Sequence, residues 1–282
     1  MIFISTGGFS NKTAYQTCLE LYKSGIKNFE LSGGKPSKNY LDEFKNFYID
    51  ATFSVHNYFP PPLKPFVLNL ASNDEKIYKE SKKHIFNAIN LCNELSCKYY
   101  SFHAGFLVDP KVEELGRKVT VKELYPRKES LHLFIDRVNE ISDYAEKLGI
   151  EILIENNVVS KNNFLRFKSN PFLMADTSEC CEIMKNTNSN VSLLIDVGHL
   201  KVSANSLGFK KEDLFQRCSN WIKAFHLSEN NGESDSNNKI SADSWFWKYL
   251  EKNLDYYSLE IYNANPDELL DQFSLAMNIL DN

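Results

Sequence analysis

Eight short apolar runs recur along the 282 residues, each followed by a stretch whose apolar residues return at three-four spacing. Runs of that length read as buried strands, and the stretches between them as amphipathic helices. The runs are IFIS, NFEL with Glu30 inside it, ATFSVH ending on His56, KYYSFH ending on His103 and IEILIE ending on Glu155. SLLID ending on Asp196, AFHLSE containing His226 and YYSLEIY containing Glu260 complete the series, at intervals of roughly 25 to 50 residues. Strict strand-then-helix alternation over a chain of this size predicts an α/β fold, a (β/α)8 TIM barrel forming a single domain over residues 1–282. A doubly wound open sheet is disfavoured because the turn after the first strand, TGGFSN, lacks the glycine spacing of a dinucleotide loop.

The helices carry their own punctuation. Ser10 or Asn11 is expected to cap the first helix, and Gly25 to end it. A short helix is expected around Tyr40 to Phe47. Ser72 or Asn73 is expected to cap a helix reaching about Leu95, and a loop from Ala104 to about Pro126 precedes a helix ending near Leu148. Asp176 to Glu179 reads as a capping box. Between Asn157 and Asp176 the mixed polarity predicts a loop, with Lys161, Arg166 and Lys168 on its solvated face. Ser241 is expected to cap a helix carrying Trp245, Phe246 and Tyr249, and Asn265-Pro266 to start the last one. Four prolines within six residues from Pro60 rule out helix or inner strand and predict a stiff wall beside the strand that ends on His56.

Composition narrows the function classes. Hydrophobic residues make up 43 %, enough for a full core, and the six cysteines show no CxxC spacing, as expected of reduced thiols in a cytoplasmic protein. The start, MIFISTGGF, lacks the basic region of a signal peptide, and no run approaches about 20 apolar residues, so no membrane span is expected. A net charge of −5 without a basic block argues against a nucleic-acid partner and leaves a small anionic substrate open.

The strand ends carry the chemistry. Successive strands of a barrel converge at one mouth, so His56, His103, Glu155, Asp196, His226 and Glu260 are expected to meet there. Several carboxylates buried together repel one another unless a cation sits among them. Mixed imidazole and carboxylate donors suit zinc, manganese or cobalt better than calcium. His84 and His132 fall in helix patterns and read as packing or surface residues, Trp245 and Trp247 as core and rim, and Glu30 and Glu229 each as a loop or floor carboxylate.

SVHNY, SFHAG, ILIEN, LIDVGH, AFHLSEN and SLEIY, in this order, resemble the xylose isomerase-like TIM-barrel superfamily, which holds sugar isomerases and epimerases and the endonuclease IV type of apurinic-site nuclease. The resemblance covers nearly the whole chain. It implies a divalent metal (manganese, zinc, cobalt or magnesium, one or two per chain) held by Glu155, Asp196, His226 and Glu260. The implied reaction is proton transfer beside a carbonyl of a sugar or sugar phosphate. The metal polarises the carbonyl and steadies a cis-enediolate, while Glu155 and Glu260 move the carbon-bound proton. His199 then contacts a substrate hydroxyl, with Asn156, Asp235 and Glu30 as further candidate substrate contacts. A homo-oligomer is compatible with this reading. In the nuclease branch His56, His103 and His199 are zinc ligands. The last ligand pair of that branch reads Asp235-Ser236-Asn237 here, and asparagine replaces the imidazole that a third zinc needs.

Overall fold

A computed structural model of the chain describes residues 1–114, 117, 119–121 and 123–281. Positions 115, 116, 118 and 122 of the expected loop up to Pro126, and Asn282, lie outside the described residues. The strands are β1 (Ile2–Ser5), β2 (Asn28–Leu31), β3 (Thr52–His56), β4 (Tyr99–His103), β5 (Glu151–Glu155), β6 (Val191–Asp196), β7 (Ile222–Leu227) and β8 (Tyr256–Leu259). All pair in parallel and in sequence order, and β8 returns to β1 through Ile2 opposite Tyr257 and Ile4 opposite Leu259, closing the barrel.

The alternation of side chains along a strand divides every strand between two environments. Ile4, Leu31, Val55, Phe102, Ile154, Ile195 and Phe225 point outward into one large core shared with the helices. Phe3, Tyr99, Leu153, Leu194, Ala224 and Tyr256 point inward and plug the lower barrel. One strand-step higher the inward positions turn polar. The register places His103 opposite Glu155 and Asp196 opposite His226, so the polar side chains form a ring above the apolar plug.

The helices are α1 (Ala14–Lys23), α2 (Tyr40–Lys45), α3 (Glu75–Glu94), α4 (Arg127–Glu146), α5 (Lys161–Phe167), α6 (Thr177–Asn186), α7 (Val197–Leu207), α8 (Glu212–Arg217) and α9 (Pro266–Leu280). Several caps differ from the sequence expectation. Thr13, in a reciprocal box with Gln16, starts α1, and Asp74 starts α3, because these side chains reach the free N–H groups of the first turn. Asp176 caps α6, but the box is not reciprocal: Glu179 turns away to accept from the Met174 N–H at 2.7 Å and to pair with Arg127. Asn265 and Glu268 do form the expected box at α9.

Two larger expectations are overturned. The stretch after β5 contains α5, capped by Ser160, which places Lys161 and Arg166 on a helix instead of a loop. After β7 no α-helix forms among the described residues; only a 3-10 turn at Trp247–Tyr249 precedes β8. The aromatic rings explain it. Trp245 and Tyr249 pack onto Phe215 of α8 at 6.0 and 5.4 Å, and the Trp247 indole N–H donates to the Ser241 carbonyl at 2.7 Å. The short connection is folded around those contacts, so strand-then-helix alternation fails at that one step.

Loops above the ring are held from below. The Asn69 amide accepts from Ala71 and Phe106 N–H and donates to the Phe106 and Val108 carbonyls and to Asp109. Arg137 of α4 donates to the Leu70 and Ser72 carbonyls at 2.7 Å each. Gly105 is required where these loops cross: a Cβ there would stand 2.5 Å from that of Ala71. All six cysteines are buried free thiols. Among the described residues no helix is long and apolar enough to cross a membrane.

His84 on α3 yields a pH prediction. Burial pushes its pKa down to about 4, opposed by its contact with the Asn57 carbonyl at 3.2 Å. The folded value lies below the ordinary 6.5, so folded and unfolded chains are equally neutral above that pH. As pH falls from 6.5 toward 4, only the unfolded chain takes up this proton, and stability is lost. The loss approaches about 3 kcal/mol at the acid end. Denaturant unfolding at pH 7 and pH 4 should show a smaller decline in His84→Gln than in the parent; parallel declines would contradict the assignment.

Candidate metal centre and active site

The ring of polar side chains follows from strand register. Glu155 and Asp196 end β5 and β6, His56 and His103 end β3 and β4, His226 lies one residue from the end of β7, and Glu260 follows β8 directly. Asp196 also caps α7: its Oδ1 accepts from the His199 N–H at 2.7 Å, which leaves Oδ2 facing the barrel axis.

Glu155 sits at the middle and is fully buried. Its oxygens are 3.4 Å from His56 Nε2, 3.2 Å from His103 Nδ1, 3.2 Å from His199 Nδ1 and 3.5 Å from His226 Nδ1. His226 Nδ1 also lies 3.2 Å from Glu260 and 3.9 Å from Asp196. Yet both Glu155 oxygens, Asp196 Oδ2 and His226 Nδ1 are buried without a hydrogen-bond partner. Groups of this kind are costly to leave unmatched, and their donor atoms from Glu155, Asp196, His226 and Glu260 all lie within 4.8 Å of one another. Two carboxylate glutamates, one aspartate and one imidazole are a donor set for a borderline or hard divalent cation. Two further groups, His56–Glu155–His226 and His103–Glu155–His199, are close enough to hold an ion as well.

Hydrogen bonds on the far side of each ring set which nitrogen faces inward. His226 Nε2 donates to Glu30 at 2.8 Å, leaving Nδ1 for the cluster. His56 Nδ1 meets Ser101 Oγ at 2.9 Å, leaving Nε2. His199 Nδ1 donates to the Asn156 carbonyl at 2.9 Å, and its Nε2 stands 3.2 Å from Asp235. Tyr262 donates to Glu260 Oε1 at 2.7 Å and fixes the plane of that carboxylate.

Protonation follows the same contacts. Burial drives the Asp196 carboxyl up to about 8, with Asp235, Glu155 and Glu260 adding to the rise and His199 opposing it. Burial also acts to raise Glu155, but His103 and His226 outweigh it and hold the carboxyl well below its usual range. For His199 and His226 burial works against the charged form, yet the neighbouring carboxylates win and both titrate above their ordinary range. His56 and His103 move the other way: burial outweighs the nearby carboxylates and pushes both down, His103 to about 4.

All six residues expected to gather at the mouth do so. Of the candidate substrate contacts, His199 and Asp235 border the adjoining cavity. Glu30 does not: it is fully buried beneath His226 and also accepts from the Tyr256 hydroxyl. Asn156 is likewise buried away from the cavity, its amide accepting from the Asp196 N–H at 2.8 Å and donating to the Asp196 carbonyl at 3.2 Å. Both instead contact the cluster itself, Glu30 through the His226 ring and Asn156 through the Asp196 backbone and the His199 ring. Glu229 is paired with Lys201 at 2.8 Å. Tyr256 and Tyr262 were not singled out from the sequence, although both share the inward parity of Glu260 and could have been found from it.

The Glu30 contact has a measurable consequence. Partners on the outer nitrogen of a ligating histidine contribute about 10- to 100-fold in metal affinity. Glu30→Gln should weaken manganese or zinc binding by that order in a calorimetric titration. An unchanged affinity would show that Glu30 does not set the His226 tautomer.

The family pattern described as "Xylose isomerase-like TIM barrel" matches residues 19–271. A crystal structure of a D-tagatose 3-epimerase-like protein superposes with a TM-score of 0.74 at 20 % identity, covering 99 % of this chain and 97 % of the other. D-psicose 3-epimerase from Clostridium cellulolyticum H10, solved with D-tagatose, gives 0.69 at 12 % identity with 99 % of both chains covered. At such identities the likeness is one of fold. An uncharacterised protein of Methanocaldococcus jannaschii is 26 % identical over 207 residues, 72 % of this chain and 69 % of its own length.

Proposed function

Because the chain belongs to the xylose isomerase-like TIM-barrel family, we propose that it is a divalent-metal-dependent isomerase or epimerase of a sugar or sugar phosphate. The observation that carries this reading is the quartet Glu155, Asp196, His226 and Glu260, whose donor atoms lie within 4.8 Å and include buried oxygens with no other partner. A divalent cation bound there supplies Lewis-acid polarisation of a carbonyl oxygen. Glu155 and Glu260 rise from strands separated by β6 and β7 and supply two carboxylates to one substrate. One removes the proton from the carbon beside the carbonyl, giving a cis-enediolate, and the other returns a proton to the opposite face in an epimerisation. Tyr262 keeps Glu260 oriented for that transfer. His199, held between the Asn156 carbonyl and Asp235, offers its ring to a substrate hydroxyl. The two similar structures, of a D-tagatose 3-epimerase-like protein and a D-psicose 3-epimerase, support the same reaction class.

The test is exchange. Incubation of the manganese-loaded protein with ketoses in deuterated water should place deuterium on the carbon beside the carbonyl, and chelation should stop it. Absence of exchange across ketohexoses, ketopentoses and their derivatives, with metal shown to be bound, would reject the proposal. Hydrolysis of abasic DNA by several zinc ions is the second reading, and the convergence of His56, His103 and His199 on Glu155 favours it. Against it, Asn237 stands where the third zinc needs an imidazole, and turning its amide puts the nitrogen 2.8 Å from Asp235.

A further inference from the structure

A cavity of about 420 Å³ opens beside His103 and His199. Its walls divide by topology. Tyr262, Asp235 and His199, from the loops after β8 and β7 and from α7, make the polar side together with His103. Phe66, Val67 and Leu68 of the proline-rich loop, Phe106 after β4, and Val158 and Phe172 after β5 make the other side apolar. Four of these, Phe66, Val67, Phe106 and Val158, are only partly buried. Half-exposed apolar side chains lining a concavity next to a reactive cluster mark a ligand site.

Several of the polar groups among that apolar wall are already committed. The Asn157 amide donates to the Ala104, Gly105 and Leu173 carbonyls. The Asn163 amide accepts from Val119 N–H and donates to the Arg117 carbonyl, and Glu114 accepts from Lys111 and Thr120. Among the described residues the single lysine or arginine on the lining is Arg117, which is exposed to solvent. A bare sugar carries a hydroxyl on nearly every carbon and would find few partners along the phenylalanines and valines of this wall. Among the described residues a sugar phosphate would meet one solvated guanidinium and no cluster of lysines and arginines.

We infer that the substrate is a ketose carrying an apolar substituent, of about the size of an aromatic ring, remote from the reacting carbon. This rests on the proposed function: the sugar end lies at Glu155 and Glu260, and the substituent lies in the cavity against Phe66 and the packed pair Phe106 and Phe172. Burying such a group favours the substituted compound by about 10- to 100-fold.

The experiment uses the full chain loaded with manganese and three probes: an unsubstituted ketohexose, its terminal phosphate, and the same ketohexose with a benzyl ether on the terminal hydroxyl. Calorimetry gives Kd for each, and solvent deuterium incorporation gives kcat/KM. The benzyl compound is expected to bind about 10- to 100-fold more tightly than either other probe. Phe66→Ala and Phe172→Ala should each shrink that ratio. Equal or weaker binding of the benzyl compound, or tightest binding of the phosphate, overturns the inference whatever the exchange rates. Tight benzyl binding with no exchange from any probe supports the apolar chamber and rejects the proton-transfer reading instead.

Discussion

Glu155→Gln is expected to lower proton exchange at least about a thousandfold with the fold unchanged. The substitution keeps the size and shape of a side chain that is fully buried, so the barrel keeps its packing. What it removes is the negative charge at the point where His56, His103, His199 and His226 converge within 3.2 to 3.5 Å. A neutral amide is a poor cation ligand, and it cannot accept the carbon-bound proton. General-base loss alone is worth about 10²- to 10⁴-fold, and the weakened cation site adds to it. Glu260→Gln should also abolish turnover. There, however, the Tyr262 hydroxyl still has an oxygen to donate to, so orientation survives and the defect is one of charge. Circular dichroism and metal content measured beside the exchange assay separate the two causes. Full exchange by Glu155→Gln with metal still bound would remove the two-carboxylate mechanism.

Chelation is expected to cost both activity and heat stability. At a free metal concentration about a hundred times Kd, binding to the folded chain alone adds about 2.7 kcal/mol. For a domain near this size each kcal/mol moves Tm by about 2 °C, so stripping the metal should lower Tm by about 5 °C. The reason is local. The Glu155 oxygens, Asp196 Oδ2 and His226 Nδ1 are buried without hydrogen-bond partners, and a cation there would satisfy them together. Manganese, cobalt or zinc should restore the lost degrees. Calcium should do so poorly, because an imidazole stands among the donors. An identical Tm and full exchange after exhaustive dialysis against chelator would contradict a metal site at the quartet.

The strands and the residues at their ends were legible because two local signals coincide there. Val55, Phe102, Ile154, Ile195 and Phe225 mark an apolar face, and His56, His103, Glu155, Asp196 and His226 break it at the next position. Parallel register then does the assembly, since equal strand ends bring those side chains to one level. The helix expected after Ser241 failed because its aromatic residues are used for packing against Phe215, a partner that no local pattern reveals. The helix at Lys161–Phe167 was hidden for the opposite reason: its polar sequence carries no clear apolar stripe. Glu30 reads from the sequence as a loop or floor carboxylate, and the coordinates place it on the floor, because its partner His226 is 196 residues away in sequence and beside it in space. Asn156 was misplaced: adjacency to Glu155 in sequence put it at the mouth, whereas strand alternation turns its amide onto the Asp196 backbone.

Anomalous diffraction from crystals grown with manganese tests the central claim most directly. A strong peak bounded by the carboxylates of Glu155, Asp196 and Glu260 and by His226 Nδ1, at about 2.0 to 2.2 Å from each, is the predicted result. No peak at that quartet in crystals that diffract well and retain activity, or manganese bound only elsewhere on the chain, would contradict it.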